Sequence, residues 1–120
     1  MAELVSIKKL TPRTRPRQTF DSEADVKEEV KRVLAEFGEL CYSLMPSSSA
    51  FGTNEKHDFH IVLNGRGGTI ETKFGKNPMT EGQQRCYKKV RNAGGFSFLI
   101  DETNVLGLKD ALVTACNVRL

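Results

Sequence analysis

The sequence predicts an α/β domain in which helices flank a central mixed sheet. Three observations lead there. Stretches at 22–37, 80–93 and 106–116 place apolar residues, or an N-terminal capping pattern, at helical spacing. Short runs that look like strands stand at 39–45, 58–63, 69–74 and 96–100, the last three rich in β-branched and aromatic residues. The resulting order is helix, three strands, helix, strand, helix, and a sheet with helices on its faces is the simplest packing of those layers. At 120 residues the chain suits one domain with one modest core.

Each element has a local reason. Residues 1–20 hold Pro12 and Pro16 among charges and threonines, which disfavours helix and predicts a flexible or extended arm. The domain proper is expected over 21–120. Ser22 is a suitable N-cap, and Asp25 suits the exposed N–H groups of a first turn. Val26, Val30, Val33 and Phe37 then recur on one helical face, and Gly38 is a natural stop. Residues 39–45 read as a strand, and the polar stretch 46–57 reads as a loop. Strands at 58–63 and 69–74 enclose Asn64-Gly65-Arg66-Gly67-Gly68, a hairpin turn signal. Thr80 and Gln83 have the spacing of a capping box, which opens a helix running to Ala93 and ending at Gly94-Gly95. Residues 96–100 form a strand. A last helix at 106–116 places Leu108, Ala111, Leu112 and Ala115 on one face.

Composition narrows the class. Hydrophobic residues make up 38% and charged residues 28%, as in ordinary soluble domains. No apolar run approaches the ~18 residues that would cross a bilayer, and no secretory signal follows the basic N-terminus, so an intracellular protein is expected. Cys41, Cys86 and Cys116 form no C-x-x-C pair and are odd in number, which predicts free thiols. The net charge of +3 is unevenly spread. Residues 1–20 carry Lys8, Lys9, Arg13, Arg15 and Arg17 against Glu3 alone, leaving 13 basic and 14 acidic side chains for the rest. Such an arm suits contact with phosphates, though a solvated tail has the same composition.

The chemistry concentrates in Asp58 and, thirteen residues on, Glu71-Thr72-Lys73. Strand alternation puts Glu71 and Lys73 on one face and Ile70, Thr72 and Phe74 on the other. Two carboxylates held together repel unless a cation lies between them, and hard oxygen ligands favour Mg²⁺ or Mn²⁺. Lys73 beside them could stabilise phosphate charge or act on water. The alternative is an exposed hairpin with a cross-strand ion pair. Glu23 lies in line with the apolar stripe of the first helix, where it would either join the acids or serve the helix dipole. Gln83 shares a face with Tyr87 and Val90, either facing the site or completing the capping box. Lys76, Arg85, Lys88 and Lys89 belong to a basic stretch suited to a phosphate backbone or simply to water. His57 and His60 flank Asp58 in an H-x-x-H spacing that could hold zinc, although residues three apart on a strand face opposite ways.

Glu23 on the first helix, Asp58 opening a strand, Glu71-Thr72-Lys73 after a Gly-Arg turn, Thr80-x-x-Gln83 and Ala93-Gly94-Gly95 resemble, in that order, the VRR-NUC (virus-type replication-repair nuclease) family of the PD-(D/E)xK superfamily. The resemblance spans about residues 22–113. It implies a restriction-endonuclease-like core and Mg²⁺- or Mn²⁺-dependent hydrolysis of DNA phosphodiesters. Asp58, Glu71 and the Thr72 carbonyl would ligate the metal, and Glu23 would assist through water or a second ion. Lys73 would act on water or the scissile phosphate, and Gln83 would orient the site. Arg13, Arg15, Arg17, Arg66, Lys76, Arg85, Lys88 and Lys89 would face DNA. Stand-alone members of phage or bacterial type resemble homodimeric enzymes that resolve Holliday (four-way) junctions in the cytoplasm of a bacterial or phage-infected cell. Flap cutting, nicking, or a non-catalytic DNA-binding module remain alternatives. The sequence departs from the family pattern at His57, where proline is usual, and at Thr72, where an aliphatic residue is commoner.

Overall fold

Ser22 takes an extended conformation and its hydroxyl accepts the Asp25 N–H at 3.2 Å, opening α1, Glu23–Ala35. Val26, Val30, Val33 and Leu34 are buried on one face of that helix. Glu29 is buried among them at 3% exposure, a position a carboxylate holds only when paired. The Arg32 guanidinium supplies the pair, with Nη2 2.7 Å and Nε 3.0 Å from Glu29 Oε2. Gly38 adopts a φ of 57°, and a 3₁₀ turn over Gly38–Leu40 leads into β1, Cys41–Leu44. That turn shortens the strand expected over 39–45.

The computed structural model describes residues 18–47 and 54–119. Within them β2, Phe59–Leu63, and β3, Arg66–Thr72, form an antiparallel hairpin. Leu63 pairs with Arg66, so the loop is Asn64-Gly65 alone, with φ of 51° and 85°. Two left-handed residues match the twist of the flanking strands. The ladder resumes at once, and Arg66-Gly67-Gly68, expected in the turn, belongs to β3. Gly68 is needed there for close packing rather than for turning, since a Cβ would lie 2.4 Å from the Phe96 ring. At its other end β3 stops at Thr72, two residues earlier than expected.

Thr80 and Gln83 make a complete capping box at the start of α2, Glu81–Asn92. The chain then enters β4, Phe96–Ile100, which runs parallel to β3. A parallel neighbour demands a crossover, and α2 is that crossover. A 3₁₀ turn at Val105–Gly107 precedes α3, Leu108–Ala115. The sheet order is β1-β2-β3-β4, with the first two pairings antiparallel and the last parallel. The chain therefore adopts the α/β class with a mixed, helix-flanked sheet.

Register decides what each face meets. Phe59, Ile61, Leu63, Ile70, Phe96 and Ile100 share the face that packs on Val26, Val30, Leu108 and Leu112, so α1 and α3 close the main core. Lys109 on α3 ties the two helices by reaching Glu36 at 2.8 Å. Thr69 and Ser97 point the other way, toward α2, as alternation requires. No helix among the described residues is long and apolar enough to cross a membrane.

Candidate active site

The end of β3 and the start of β2 meet where Asp58 lies beside Glu71 and Thr72. Phe59 pairs with Ile70, and this register sets Asp58 opposite the last residues of β3. The acids are then locked by reciprocal bonds. Glu71 Oε1 accepts the Asp58 N–H at 3.1 Å, while Asp58 Oδ2 accepts the Thr72 N–H at 2.9 Å and the Thr72 hydroxyl at 2.5 Å. Neither carboxylate can swing away without leaving a buried N–H unpaired. Lys73 follows directly, with its N–H given to the Ile100 carbonyl at 2.9 Å and its Nζ 3.6 Å from Glu71 Oε2.

Glu71 is only 2% exposed, and its surroundings oppose its charge. Burial pushes its pKa up to about 7, and the Asp58 charge pushes the same way. Lys73 and the Asp58 N–H pull it down but do not compensate, and Glu23 adds a further upward push. Burial is the chief reason the charged form of Glu71 is disfavoured, and a cation brought beside it would favour that form. Asp58 and Glu71 could serve a hard divalent ion, since Mg²⁺ commonly takes one or two carboxylates while keeping several waters.

Glu23, which the resemblance has assisting a metal through water or a second ion, pairs with a lysine of its own helix. Its Oε2 lies 3.5 Å from Lys27 Nζ, and the same ammonium is 3.6 Å from Asp58 Oδ1. Burial opposes the Lys27 charge, but Asp58 and Glu23 outweigh it and hold the ammonium above its ordinary range. Among the described residues no three His, Cys, Asp or Glu side chains converge as a metal cluster. The arrangement is instead two acids with a lysine on either side. Sequence reasoning passed over Lys27, although Glu23 and Lys27 have the i, i+4 spacing of a helical ion pair.

His57 is held inside the fold. It is 2% exposed, and neither ring nitrogen is open to a metal. Nε2 lies 2.8 Å from the Gln83 carbonyl and Nδ1 2.8 Å from Thr69 Oγ1, which in turn lies 2.8 Å from Ser97 Oγ. A carbonyl only accepts, so Nε2 carries the proton and the Thr69 hydroxyl donates to Nδ1. Burial lowers the His57 pKa, despite the Gln83 bond, and keeps the ring neutral. The imidazole therefore ties the first turn of α2 to β3, one residue before Asp58. This arrangement leaves no role for a zinc ion on His57. Gln83 takes part through its backbone, while its side-chain Oε1 accepts the Thr80 N–H in the capping box. A cleft of about 620 Å³ opens between these elements, lined by His57, Asp58, Glu71, Gln83, Lys56 and Arg85.

The basic residues divide. Arg85 lines the cleft, but its Nε lies 2.7 Å from Glu55 Oε2, and Lys89 Nζ lies 2.5 Å from Glu55 Oε1. Those two bonds hold the Glu55 carboxyl below its usual range. Lys88 and Lys76 are exposed. Arg66 stands at the far end of β3 from Glu71, where its guanidinium donates to the Ala115 and Gly94 carbonyls. The structure thus does not bring Arg66 to the acids. Arg13, Arg15 and Arg17 lie outside the described residues. No protein-family model matches this chain, and neither a curated protein nor a solved structure matches it.

Proposed function

We propose that this chain is a Mg²⁺- or Mn²⁺-dependent endonuclease of VRR-NUC type that hydrolyses DNA phosphodiester bonds. Its favoured substrate in this reading is branched DNA, with a homodimer resolving four-way junctions during phage or bacterial replication, recombination or repair. One observation carries the proposal. A nearly buried Glu71 is bonded to the Asp58 backbone and flanked by the Lys73 ammonium, and with Asp58 it lines a cleft of about 620 Å³. An ordinary cross-strand ion pair would be exposed and would need no second acid.

Each residue has a part in the chemistry. Asp58 and Glu71 would hold the divalent ion, with the Thr72 backbone beside them. When bound, that ion supplies Lewis acidity toward water and phosphate. Thr72 fixes the Asp58 carboxylate through its N–H and hydroxyl, so the ligand geometry costs little to assemble. Lys73 lies beside Glu71, where as an ammonium it would stabilise charge growing on a phosphoryl oxygen, or as the neutral amine would take a proton from water. His57 keeps α2 and β3 in register around Asp58. Lys88 and Lys76 are exposed cations that a phosphate backbone can use.

The test is cleavage of end-labelled four-way junction, flap and linear duplex by the purified protein, with and without Mg²⁺ or Mn²⁺. Metal-dependent cutting is expected, with preference for the junction. Glu71→Gln and Lys73→Ala are each expected to lose at least about a hundredfold in rate, while the Lys73→Ala protein still binds DNA. Undiminished cutting by Glu71→Gln would remove the mechanism. Loss of both binding and cutting in Lys73→Ala would give that lysine a structural role.

A further inference from the structure

Lys27 on α1 has no part in the chemistry described above, yet it stands between two of the acids. Lys27 Nζ is 3.6 Å from Asp58 Oδ1 and 3.5 Å from Glu23 Oε2. It lies on the opposite side of Asp58 from the Thr72 bonds, which use Oδ2. We infer that the Lys27 ammonium occupies the place of a second cation, so that the chain is built to take one divalent ion per site and Glu23 is the counter-charge of Lys27 rather than a metal ligand. The inference rests on the metal-dependent reading above and deepens it.

Three features of the geometry argue for this. First, an acid that served as a ligand would converge on Asp58 and Glu71, and among the described residues no such three-acid cluster forms. Second, the helix fixes the lysine. Glu23 and Lys27 are one turn apart on α1, whose apolar neighbours Val26 and Val30 are fully buried, so the pair is carried on a rigid element. Third, a fixed ammonium neutralises the outer face of the acid pair without needing an ion from solution. It also repels any further cation that approaches Asp58 from that side. With Lys73 beside Glu71 and Lys27 beside Asp58, each acid has a lysine next to it, and both acids line the cleft.

A positive charge beside a ligand weakens divalent binding. Removing one that stands about 6 Å from a doubly charged ion, with water-like screening, strengthens binding about tenfold. The experiment is titration of Mn²⁺ into the metal-free full chain, followed by calorimetry and by the loss of the free-ion electron paramagnetic resonance signal. Wild type is expected to bind one ion per chain, and Glu71→Gln to abolish that binding. Lys27→Met, which keeps the aliphatic stem on α1, is expected to bind about tenfold tighter, and Lys27→Arg is expected to bind like wild type. Adding Glu23→Gln to Lys27→Met is expected to cost more affinity than the same change in wild type, because only the freed carboxylate can serve an ion. Thermal melts of each variant without metal report that the fold is intact.

The outcomes separate the two ideas. A wild type that binds no Mn²⁺, or a Glu71→Gln protein that binds it unchanged, overturns the metal-dependent reading and this inference with it. One-ion binding lost in Glu71→Gln, together with unchanged or weaker affinity in Lys27→Met, overturns the role of Lys27 and leaves the reading standing. Two ions bound by wild type would also overturn it.

Discussion

Glu71 shows how burial and chemistry trade against each other at one residue. Its carboxyl titrates near pH 7 because burial and the Asp58 charge both resist ionisation. In an unfolded chain the same group ionises near its ordinary value of about 4.5. The folded state therefore binds the proton more tightly. Between those two pH values the folded chain holds more protons than the unfolded one, so stability falls as pH rises. The contribution is fully present below about pH 4.5 and gone above about pH 7. In metal-free buffer, Glu71→Gln is expected to remove this slope and to be more stable than wild type at pH 8 by about 2–3 kcal/mol. Glutamine keeps an oxygen for the Asp58 N–H, so the gain is not cancelled by a lost bond. Urea denaturation of both proteins from pH 5 to pH 8 measures this. A variant less stable than wild type at pH 8 would mean that the flanking lysines already neutralise the carboxylate.

At the scale of elements, β3 does the positioning. It carries Thr69 to His57, Ile70 to the core, and Glu71 and Thr72 to Asp58, and its register against β4 depends on Gly68. A Cβ at Gly68 would fall within 2.4–2.5 Å of the Phe96 ring, whereas one at Gly67 would come no closer than 4.0 Å to any atom. Gly68→Ala is therefore expected to destabilise by about 2–3 kcal/mol through overpacking, whereas Gly67→Ala is expected to be neutral or to stabilise by up to about 1 kcal/mol, as measured by urea denaturation. Equal losses at the two positions would show that the space beside Phe96 is not what demands Gly68. The contrast also explains what was legible in the sequence. The caps at Ser22 and Thr80 are local devices, written in adjacent residues, and the structure uses them as read; the hairpin turn is also local, but it takes only Asn64-Gly65 of the five residues expected in it. The sequence also set Asp58, Glu71 and Lys73 apart, because strand alternation is local too. Gly68 looked like part of a turn because the ring that demands it is twenty-eight residues away. The roles of Lys27 and His57 were not legible for the same reason. Their partners, Asp58 for one and Thr69, Ser97 and Gln83 for the other, are brought to them only by the packing of helices on the sheet.

For the whole molecule the question is which charges are left to meet a polyanion. Inside the described domain many cations already have acidic partners. Arg32 and Lys109 hold Glu29 and Glu36, Arg85 and Lys89 hold Glu55, and Lys27 and Lys73 hold the acids of the site. An ion pair that must be broken to reach a phosphate gains little from it. The excess positive charge of the chain lies instead in residues 1–20, five basic side chains against one acidic. If binding draws on that excess, affinity for DNA will be steeply salt-dependent, because each neutralised phosphate releases condensed counterions and adds about 0.9 to the slope of log K against log salt on duplex. Deleting residues 1–17 is expected to weaken duplex binding and to lower that slope by about two units or more, while metal affinity at Asp58 and Glu71 stays as in the full chain. Fluorescence anisotropy with labelled duplex at 50 to 200 mM salt reads the slope directly. An unchanged slope would assign phosphate contact to exposed cations of the domain, such as Lys76 and Lys88, and leave the arm without a part in binding.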